Sequence, residues 1–294
     1  MKKIIIVTGG AGFVGSNLIK KLIFKTKLNI VSLDDYSSGS KKNHIKNKRV
    51  KYINGNTKDI DKFFYKNKSN IDSIFHFGEF SRIAQSFKQK DICFKTNLLG
   101  SYEVIKFCLD KKIRFIYSAT SATLGSNDMP NLSPYAFTKY NNLNLIINLN
   151  EWFGLKYEII YFYNVYGSNQ IKKGFMSTVV GVFEEQLKTK KKLTVVKPGN
   201  QKRNFTHIKD TVNCVIKAYK LKQNKHYAVY NDKSLSILQL AQLFSKNIKF
   251  VKERPGERYQ SKLVKNYRGN KIIKYKSRFD IKNYIKIYKK SLGM

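Results

Sequence analysis

Short apolar stretches alternate with longer amphipathic stretches along the first 165 residues of the chain. Runs rich in β-branched and aromatic residues favour strands, whereas apolar residues that recur every three or four positions are typical of helices. The predicted strands cover residues 3–8, 29–33, 50–54, 73–77, 114–117 and 157–162, and the predicted helices include residues 13–24, 91–110 and 136–152. This alternation indicates βαβ units, and therefore an α/β fold with a doubly wound parallel sheet and helices on both faces.

The alternation weakens after about residue 165, where loops and lysines become more frequent. An apolar helix after Asp210 and a strand over residues 227–230 indicate that the chain then returns to the main domain. We therefore expect a main domain of residues 1–165, rejoined by about 207–232, with a sheet of about seven strands. Residues 166–206 and 233–294 are expected to form a smaller C-terminal α/β region.

The chain is strongly basic, with 57 Lys+Arg against 19 Asp+Glu in 294 residues and a net charge of +38. Such a charge suits a nucleic acid or an anionic membrane surface. The lysines are spread over the whole chain and are not concentrated in one tail or one helix. We therefore favour a solvated basic surface without a specific nucleic-acid partner, although a positive field also favours phosphate-bearing ligands.

Cysteine and histidine usage limits the compartment and the metal chemistry. Cys93, Cys108 and Cys214 are odd in number and widely separated, which argues against a disulfide framework and favours a reducing, cytoplasmic location. The four histidines lack ligand spacing, so we expect no metal site. The apolar run of residues 4–7 is too short for a signal peptide, and no stretch approaches membrane-spanning length.

A glycine-rich motif, TGGAGFVG, occupies residues 8–15, where the first predicted strand gives way to the first helix. Glycine there permits a tight turn and a close approach to a pyrophosphate, while the helix N-terminus presents free N–H groups to the anion. Asp34 follows Gly15 by 19 residues, near the spacing at which a carboxylate meets the adenosine ribose. Since a carboxylate repels a 2′-phosphate, the motif predicts a Rossmann domain that binds NAD in preference to NADP.

Tyr135 and Lys139 are four residues apart on a predicted helix, and therefore lie on one face. The same spacing to a lysine recurs at Tyr102 and Tyr267, so the position in the fold has to decide. Only Tyr135 begins a helix that follows a strand with a hydroxyl-rich end, which includes Thr120. Because open α/β folds bind ligands at the carboxyl ends of their strands, Tyr135, Lys139 and Thr120 are the candidate catalytic residues.

These motifs resemble the extended short-chain dehydrogenase/reductases, in particular the nucleotide-sugar epimerase/dehydratase group typified by UDP-glucose 4-epimerase. The resemblance covers nearly the entire chain. Its further elements are DDYSSG at residues 34–39, FHFG at 75–78, Asn97 with Gly100, SPY at 133–135, FYNVYG at 162–167, QKRNFTH at 201–207 with Asp210, and RPGE at 254–257. The resemblance implies an NAD-dependent enzyme with a nucleotide-sugar substrate, and a homodimer formed through the two long helices.

The resemblance also implies the role of each site residue. Tyr135 would remove the proton of a sugar hydroxyl while the C4 hydride passes to NAD, Thr120 would hydrogen-bond the same oxygen, and Lys139 would also hold the nicotinamide ribose. Phenols are poor bases at neutral pH, with a pKa of about 10, but an adjacent ammonium and a positive nicotinamide ring favour the phenolate. Besides Tyr135 and Lys139, the expected cofactor-binding residues are Gly9, Gly12, Phe13, Val14, Gly15, Asp34, Asp35, Ser37, Ser38, Gly39, Asn56, Thr57, Phe77, Gly78, Asn97 and Phe162. The expected substrate-binding residues are Ser81, Thr120, Asn164, Arg203 and Arg254, in which the guanidinium groups suit a nucleotide diphosphate.

The chain departs from the family pattern at several positions. The usual Asp after the third strand is Asn56, which removes a charge near the adenine but keeps hydrogen-bonding capacity. The usual Tyr-Gly pair after the hydroxyl-rich strand is Leu124-Gly125, and the Asp of a late Arg-Asp-Phe pattern is Asn204. The cofactor site should tolerate these changes, whereas the substrate pocket is expected to be unusual.

Three functions are left open by the sequence. Ser121-Ala122 replaces the Asp-Glu pair with which 4,6-dehydratases expel water, so we reject dehydratase activity. The leading hypothesis is a UDP-glucose 4-epimerase-type sugar epimerase. FGEFSR at residues 77–82 is closer to a bacterial subgroup that includes a nucleotide-heptose C4 dehydrogenase, so a dehydrogenase or reductase acting on a nucleotide-sugar such as GDP-heptose is the second. The third is a non-catalytic, basic nucleotide- or RNA-binding Rossmann protein.

Overall fold

The structure is a computed structural model that describes residues 3–65, 70–123, 133–256 and 265–294. The strands are β1 (Ile4–Thr8), β2 (Asn29–Asp34), β3 (Val50–Asn54), β4 (Ile71–His76), β5 (Arg114–Thr120), β6 (Tyr157–Phe162), β7 (Val165–Tyr166), β8 (Leu193–Val196), β9 (Lys202–Asn204), β10 (Thr206–His207), β11 (His226–Tyr230), β12 (Ser234–Ser236), β13 (Ile248–Val251), β14 (Asn266–Tyr267) and β15 (Asn270–Lys276). The helices are α1 (Phe13–Lys25), α2 (Ile60–Phe64), α3 (Ile83–Lys88), α4 (Lys90–Phe94), α5 (Ser101–Asp110), α6 (Pro134–Phe153), α7 (Val179–Lys188), α8 (Ile208–Leu221), α9 (Ile237–Phe244) and α10 (Ile281–Ser291).

Nine of the described strands form one sheet in the order β14-β15-β11-β6-β5-β4-β1-β2-β3. All neighbours in this sheet are parallel except β14 and β15. The chain adds β2 and β3 on one side of β1 and then starts again with β4 on the other side. This reversal opens a crevice beyond the carboxyl ends of β1 and β4, which is where open α/β sheets bind ligands.

Two hydrophobic layers cover the sheet. Ile5 and Val7 of β1 pack with residues of α1 and α8 on one face, and Ile6 packs with residues of α2, α5 and α6 on the other. A strand buried on both faces has a continuous apolar sequence, which explains the run IIIVT of β1. The predicted α/β fold with a parallel sheet flanked by helices is confirmed.

The predicted helix over residues 91–110 is helical throughout, but it is not a regular α-helix. Residues Lys95–Gly100 form a π-helical turn that joins α4 to α5. Asn97 lies in this turn and is fully buried. At its end Gly100 packs so closely on Thr57 that a Cβ atom at position 100 would lie 2.5 Å from the Thr57 hydroxyl oxygen. Single π-helical turns within helices occur frequently at functional sites.

Part of the expected C-terminal region belongs to the large sheet. Residues 233–294 were assigned to the smaller region, but β15 pairs with β11 in parallel register, from His226 opposite Ile272 to Tyr230 opposite Lys276. Addition of β14 and β15 raises the sheet from the expected seven strands to nine. The pairing is favourable because β11 would otherwise expose an unpaired edge. The sequence did not predict it because the lysine-rich β15 gave little sign of a strand.

The remaining C-terminal residues pack around a separate core. This core includes Tyr166, Phe183, Leu193, Leu240 and Ile285. Three two-stranded sheets surround it, formed by β7 with β10, β9 with β12 and β8 with β13. Across the described ranges, no helix is long and apolar enough to cross a membrane. The three cysteines are buried free thiols.

Candidate active site

A cleft of about 920 Å³ lies along the carboxyl edge of the large sheet, between the sheet and the C-terminal region. One wall contains the glycine turn after β1, the end of β5 and the start of α6. The facing wall contains residues 174–180 and the side chains of Arg203 and Arg254. The cleft therefore lies at the topological switch point of the sheet.

The glycine turn forms an anion cradle at the start of α1. Gly9 has φ +68°, and a Cβ atom there would lie 2.7 Å from the Phe77 carbonyl group. A Cβ atom on Gly15 would lie 2.2 Å from the Gly9 oxygen, so α1 packs directly on the turn. The N-cap residue Gly12 has no capping side chain, and the first turn of the helix has no acidic residue. The helix N-terminus therefore offers N–H groups and a positive end to a phosphate.

Asp34 supplies a buried carboxylate at the end of β2. Its oxygens accept hydrogen bonds from the backbone N–H groups of Ala11 and Tyr36, each at 2.8 Å. Burial raises the pKa of Asp34, although these two hydrogen bonds oppose the rise. A Cβ atom on Gly39 would lie 2.6 Å from a carboxylate oxygen of Asp34, so glycine leaves room for this group. Because each carboxylate oxygen has a second lone pair, Asp34 can also accept from a ribose hydroxyl.

The three candidate catalytic residues line the same cleft. Thr120 ends β5, and its hydroxyl oxygen accepts from the backbone N–H of Ala122 at 3.2 Å, which leaves the hydroxyl proton free to donate. Tyr135 and Lys139 lie in the first two turns of α6, where the residues are 8% and 4% exposed. The Ser133 hydroxyl caps this helix and Pro134 occupies its first turn. Together they fix where α6 begins, and so place Tyr135 in its first turn.

Lys139 forms a buried ion pair with Glu79, a residue of the loop after β4. Their side chains are 4% and 2% exposed. The Lys139 ammonium also donates to the Ser118 carbonyl oxygen at 2.6 Å. Further donors to the Glu79 carboxylate are the hydroxyl groups of Ser101 (3.0 Å) and Tyr117 (3.2 Å) and the side-chain amide of Asn142 (3.2 Å). Elements distant in sequence therefore meet at one carboxylate.

His76 connects this ion pair to the glycine turn. Burial lowers the pKa of His76 to about 4, so the imidazole is neutral at physiological pH. The Ser101 hydroxyl uses its proton to donate to Glu79, so it accepts from His76 Nε2 at 2.9 Å. A neutral imidazole has only one N–H group, so Nδ1 is the acceptor, and the Thr8 hydroxyl donates to it at 2.8 Å. Thr8 in turn accepts from the backbone N–H groups of Phe77 and Gly78 at 3.1 and 3.0 Å. A continuous hydrogen-bond chain thus runs from the end of β1 to Glu79.

The substrate-side residues come from three separate segments. Asn164 donates from its side-chain amide to the Asn204 carbonyl oxygen at 3.2 Å, which ties the end of β6 to β9. Arg203 lies on β9, and Arg254 follows β13 and is exposed. Ser81 lies in the loop after β4. All four residues line the cleft, so two guanidinium groups flank its C-terminal side.

The cleft gathers most of the residues predicted from the sequence. Those that line it are Gly9, Gly12, Phe13, Val14, Gly15, Asp34, Asp35, Ser37, Ser38, Thr57, Phe77, Gly78, Ser81, Thr120, Tyr135, Lys139, Phe162, Asn164, Arg203 and Arg254. Gly39, Asn56 and Asn97 do not line it. Leu124, Gly125 and Glu257, which the family pattern singled out, lie outside the described residues.

Asn56 and Asn97 support the backbone of the site, and their predicted contact with the cofactor stays a prediction. The Asn97 side chain accepts from Phe80 N at 2.7 Å and donates to Phe80 O at 3.0 Å, so it fixes the loop that carries Glu79. Asn56 accepts from the backbone N–H of Lys58 at 3.1 Å and caps a short 3-10 helix.

The sequence predicted no function for two charged residues of the site, Glu79 and Arg82. Glu79 binds Lys139, and Arg82 donates from Nε and Nη2 to the Met176 carbonyl oxygen at 2.9 and 2.7 Å. Both line the cleft. Their position directly after a predicted strand, at the carboxyl edge of the sheet, was the available signal. Glu79 was the stronger signal, because acidic residues are rare in this chain.

The fold and the site define a dinucleotide-binding enzyme of the short-chain dehydrogenase/reductase type. The profile of the NAD dependent epimerase/dehydratase family matches residues 5–231. The chain belongs to this family, and its cofactor is NAD.

The similar proteins act on nucleotide-sugars, by their names. A candidate UDP-glucose 4-epimerase of Methanocaldococcus jannaschii is 26% identical over 298 residues, which cover 96% of each chain. An ADP-L-glycero-D-manno-heptose-6-epimerase of Brachyspira hyodysenteriae is 30% identical over 71% of this chain and 70% of its own. The crystal structure of a UDP-glucose 4-epimerase of Thermotoga maritima with UDP-glucose superimposes with a TM-score of 0.83 at 22% identity, covering 98% of this chain and 99% of that one.

Proposed function

We propose that this enzyme carries out NAD-dependent oxidoreduction at C4 of a nucleotide-sugar, as a sugar epimerase of the UDP-glucose 4-epimerase type. The observation that carries the proposal is the meeting of Tyr135, Lys139 and Thr120 in one cleft with the glycine turn and Asp34. This chemistry requires a proton acceptor at the C4 hydroxyl oxygen and a hydride acceptor at C4 itself. One continuous cleft contains both the candidate base and the residues that would hold the cofactor.

The chain's own residues bind, orient and deprotonate the sugar. The anion cradle after β1 and the Asp34 carboxylate would hold NAD, which would supply a reversible hydride acceptor. Tyr135 takes the proton of the C4 hydroxyl at its phenol oxygen, and returns it when the ketone is reduced. The Thr120 hydroxyl donates to the same sugar oxygen and so fixes it for proton transfer. Tyr135 is 8% exposed, so protein atoms surround most of this residue.

Arg203 and Arg254 bind the diphosphate of the nucleotide-sugar in this proposal. A guanidinium group matches phosphate oxygens with two parallel N–H donors, which suits a fixed anchor far from the reacting carbon. Epimerisation then requires the keto-sugar to turn over while its nucleotide stays bound. Anchors on the C-terminal side of the cleft meet that requirement.

We also propose that the enzyme is not a 4,6-dehydratase. Membership of the family does not decide this point, because the family includes dehydratases. Ser121 and Ala122, which follow Thr120, line the cleft without an acidic group. Among the described residues, the carboxylates that line the cleft are those of Asp34 and Asp35 at the end of β2 and that of Glu79. The oxygens of Glu79 are engaged by Lys139, Ser101 and Tyr117. The cleft lining therefore offers no acidic pair next to Thr120 for the expulsion of water.

Product analysis tests the proposal. The purified protein is incubated with a panel of UDP- and GDP-sugars without added cofactor, and the products are examined by mass spectrometry and NMR. A sugar of unchanged mass with inverted C4 supports the epimerase. A product that lacks two hydrogens, with reduction of bound NAD, identifies a C4 dehydrogenase instead. Loss of water identifies a dehydratase, and no product with any sugar, together with salt-dependent RNA binding, favours the non-catalytic alternative.

A further inference from the structure

We propose that Glu79 is a positioning residue that cancels the charge of Lys139, so that the ionisation of Tyr135 follows the charge of the cofactor, which changes during the reaction. The inference rests on the proposed function, in which Tyr135 is the base. It assigns a role to a buried carboxylate that the proposed chemistry leaves unused.

The contacts of Glu79 indicate a fixed carboxylate. One of its oxygens accepts from Ser101, Tyr117 and Asn142, and the other binds the Lys139 ammonium. Burial raises the pKa of Tyr117 well above the usual value for a phenol, so Tyr117 stays protonated and remains a donor. A carboxylate held by several donors keeps its charge and its position.

The loop that carries Glu79 is also fixed from both sides. Asn97 holds the backbone of Phe80, and Thr8 holds the N–H groups of Phe77 and Gly78. Neutral His76 completes the chain from Thr8 to Ser101. The carboxylate is therefore fixed relative to both the glycine turn and α6, and the ammonium it binds is fixed with it.

The pair changes the electrostatics of the base. A lone ammonium beside Tyr135 would favour the phenolate whether or not cofactor is bound, whereas a salt bridge with zero net charge exerts a much weaker field. The Arg82 guanidinium also interacts with Tyr135, but its charge stays the same throughout the reaction. The positive nicotinamide ring, when bound, would therefore supply the part of the field that changes as the reaction proceeds. Tyr135 would become a base with oxidised cofactor and hold its proton with reduced cofactor, as each half of the reaction requires.

Other ionisable groups face this pair and must be included in any pH analysis. They are His76 of β4, Arg82 of the loop after β4, Cys93 of α4, Tyr117 of β5 and Tyr135 of α6. Burial raises the pKa of Cys93 to about 11 and keeps His76 neutral, so neither changes charge near neutral pH. Arg82 keeps its charge, and it is the same in every variant described below.

Charge-removal variants test the inference without turnover of substrate. The ionisation of Tyr135 is followed by NMR of ring-carbon-labelled tyrosine in the NAD-loaded protein, with Tyr135→Phe used to identify the resonance. Removal of the negative charge in Glu79→Gln should lower the pH midpoint of Tyr135 ionisation by about one unit, and Lys139→Met should raise it by about one unit. The double variant loses both charges and should return the midpoint to within about 0.3 units of the unmodified protein.

Two controls separate charge from packing. Glu79→Asp keeps the charge and should leave the midpoint unchanged, even if the rate falls. Glu184→Gln removes another buried carboxylate, which pairs with Lys172 at 2.9 Å in the C-terminal region and does not line the cleft, and should also leave the midpoint unchanged.

The inference is overturned if Glu79→Gln leaves the midpoint where it is, or if the double variant is shifted as far as either single variant. A rate loss that is equal at every pH, with an unchanged midpoint, would assign Glu79 a structural role only. If Glu79→Gln does not fold, the shift in Lys139→Met and its reversal in the double variant still decide the question. Because the NMR titration needs no turnover, a failed product analysis does not affect it.

Discussion

The two edges of the large sheet carry almost the same buried groups. At the carboxyl edge, Glu79 pairs with Lys139, and His76 lies nearby. At the amino edge, Glu158 pairs with Arg114 at 2.8 Å, and His226 lies on the adjacent strand β11. Both histidines are buried, and burial lowers the pKa of each to about 4.

The partners of the two carboxylates differ. Glu158 accepts from the backbone N–H groups of Asn224 and Lys225 at 3.2 and 3.3 Å, so it ties the loop between α8 and β11 to β5 and β6. Glu79 is held by side chains and lies on the cleft wall. The same chemistry therefore stabilises the chain at one edge and serves the site at the other. The topology decides which, because a doubly wound sheet opens its crevice at the carboxyl ends.

The largest effect that separates the two edges is expected from Tyr135→Phe. Removal of the phenol oxygen removes the base, and product formation from the accepted nucleotide-sugar should fall by about 1,000-fold or more. The free energy of unfolding should change little, because the ring remains packed. Steady-state kinetics and urea unfolding check both statements. Tyr102→Phe, an exposed tyrosine with the same spacing to a lysine, is the matched control and should keep full activity.

Disruption of the amino edge should act on stability instead. Glu158→Ala leaves Arg114 without its buried partner, so the free energy of unfolding should fall by about 3–5 kcal/mol. Below the unfolding transition, the rate of sugar oxidation should stay within about twofold of the unmodified protein, since the change lies far from the reacting atoms. A large loss of rate in a folded, stable variant would contradict the division between the edges.

Acid should destabilise the protein through its buried histidines. The folded pKa of His226, about 4, lies below the usual 6.5, so the unfolded chain binds protons first as the pH falls. Stability present at neutral pH is therefore lost between pH 6.5 and 4, by up to about 3 kcal/mol for each such histidine. Urea unfolding at several pH values should give a smaller loss for His226→Gln than for the unmodified protein. An identical pH dependence would count against this assignment.

The smallest expected effect concerns assembly. Leu99 and Tyr102, on the π-helical turn and α5, are 62% and 46% exposed, and Phe137 of α6 is 39% exposed. We predict that these helices form the homodimer interface. Leu99→Lys should weaken the dimer by about 1–2 kcal/mol, which light scattering at low protein concentration would detect as monomer. Trp152→Lys, at the far end of α6, serves as a comparison, and equal weakening by both would argue against a localised interface.

Local patterns in the sequence predicted much of the site. The glycine turn, the carboxylate at Asp34 and the shared face of Tyr135 and Lys139 depend on residues that are close in sequence, and the structure places them along one cleft. Residues 91–110 are helical as predicted, but the pattern did not show the π-helical turn within them, and the predicted position of residues 266–276 was wrong. Both features depend on what each segment packs against. Asn97 binds the loop after β4, and β15 pairs with the edge of β11.

The sequence by itself determined the alternation of strands and helices over the first 165 residues, the family and the groups available for catalysis, because periodicity and short motifs are local properties. Only the tertiary structure decided that Glu79 meets Lys139. Their contact joins residues 60 positions apart, together with Ser101 and Tyr117 from two other elements. Such a meeting follows from strand order and register, which bring the end of β4 beside β5, α5 and α6. A buried carboxylate becomes favourable only where all of these donors converge.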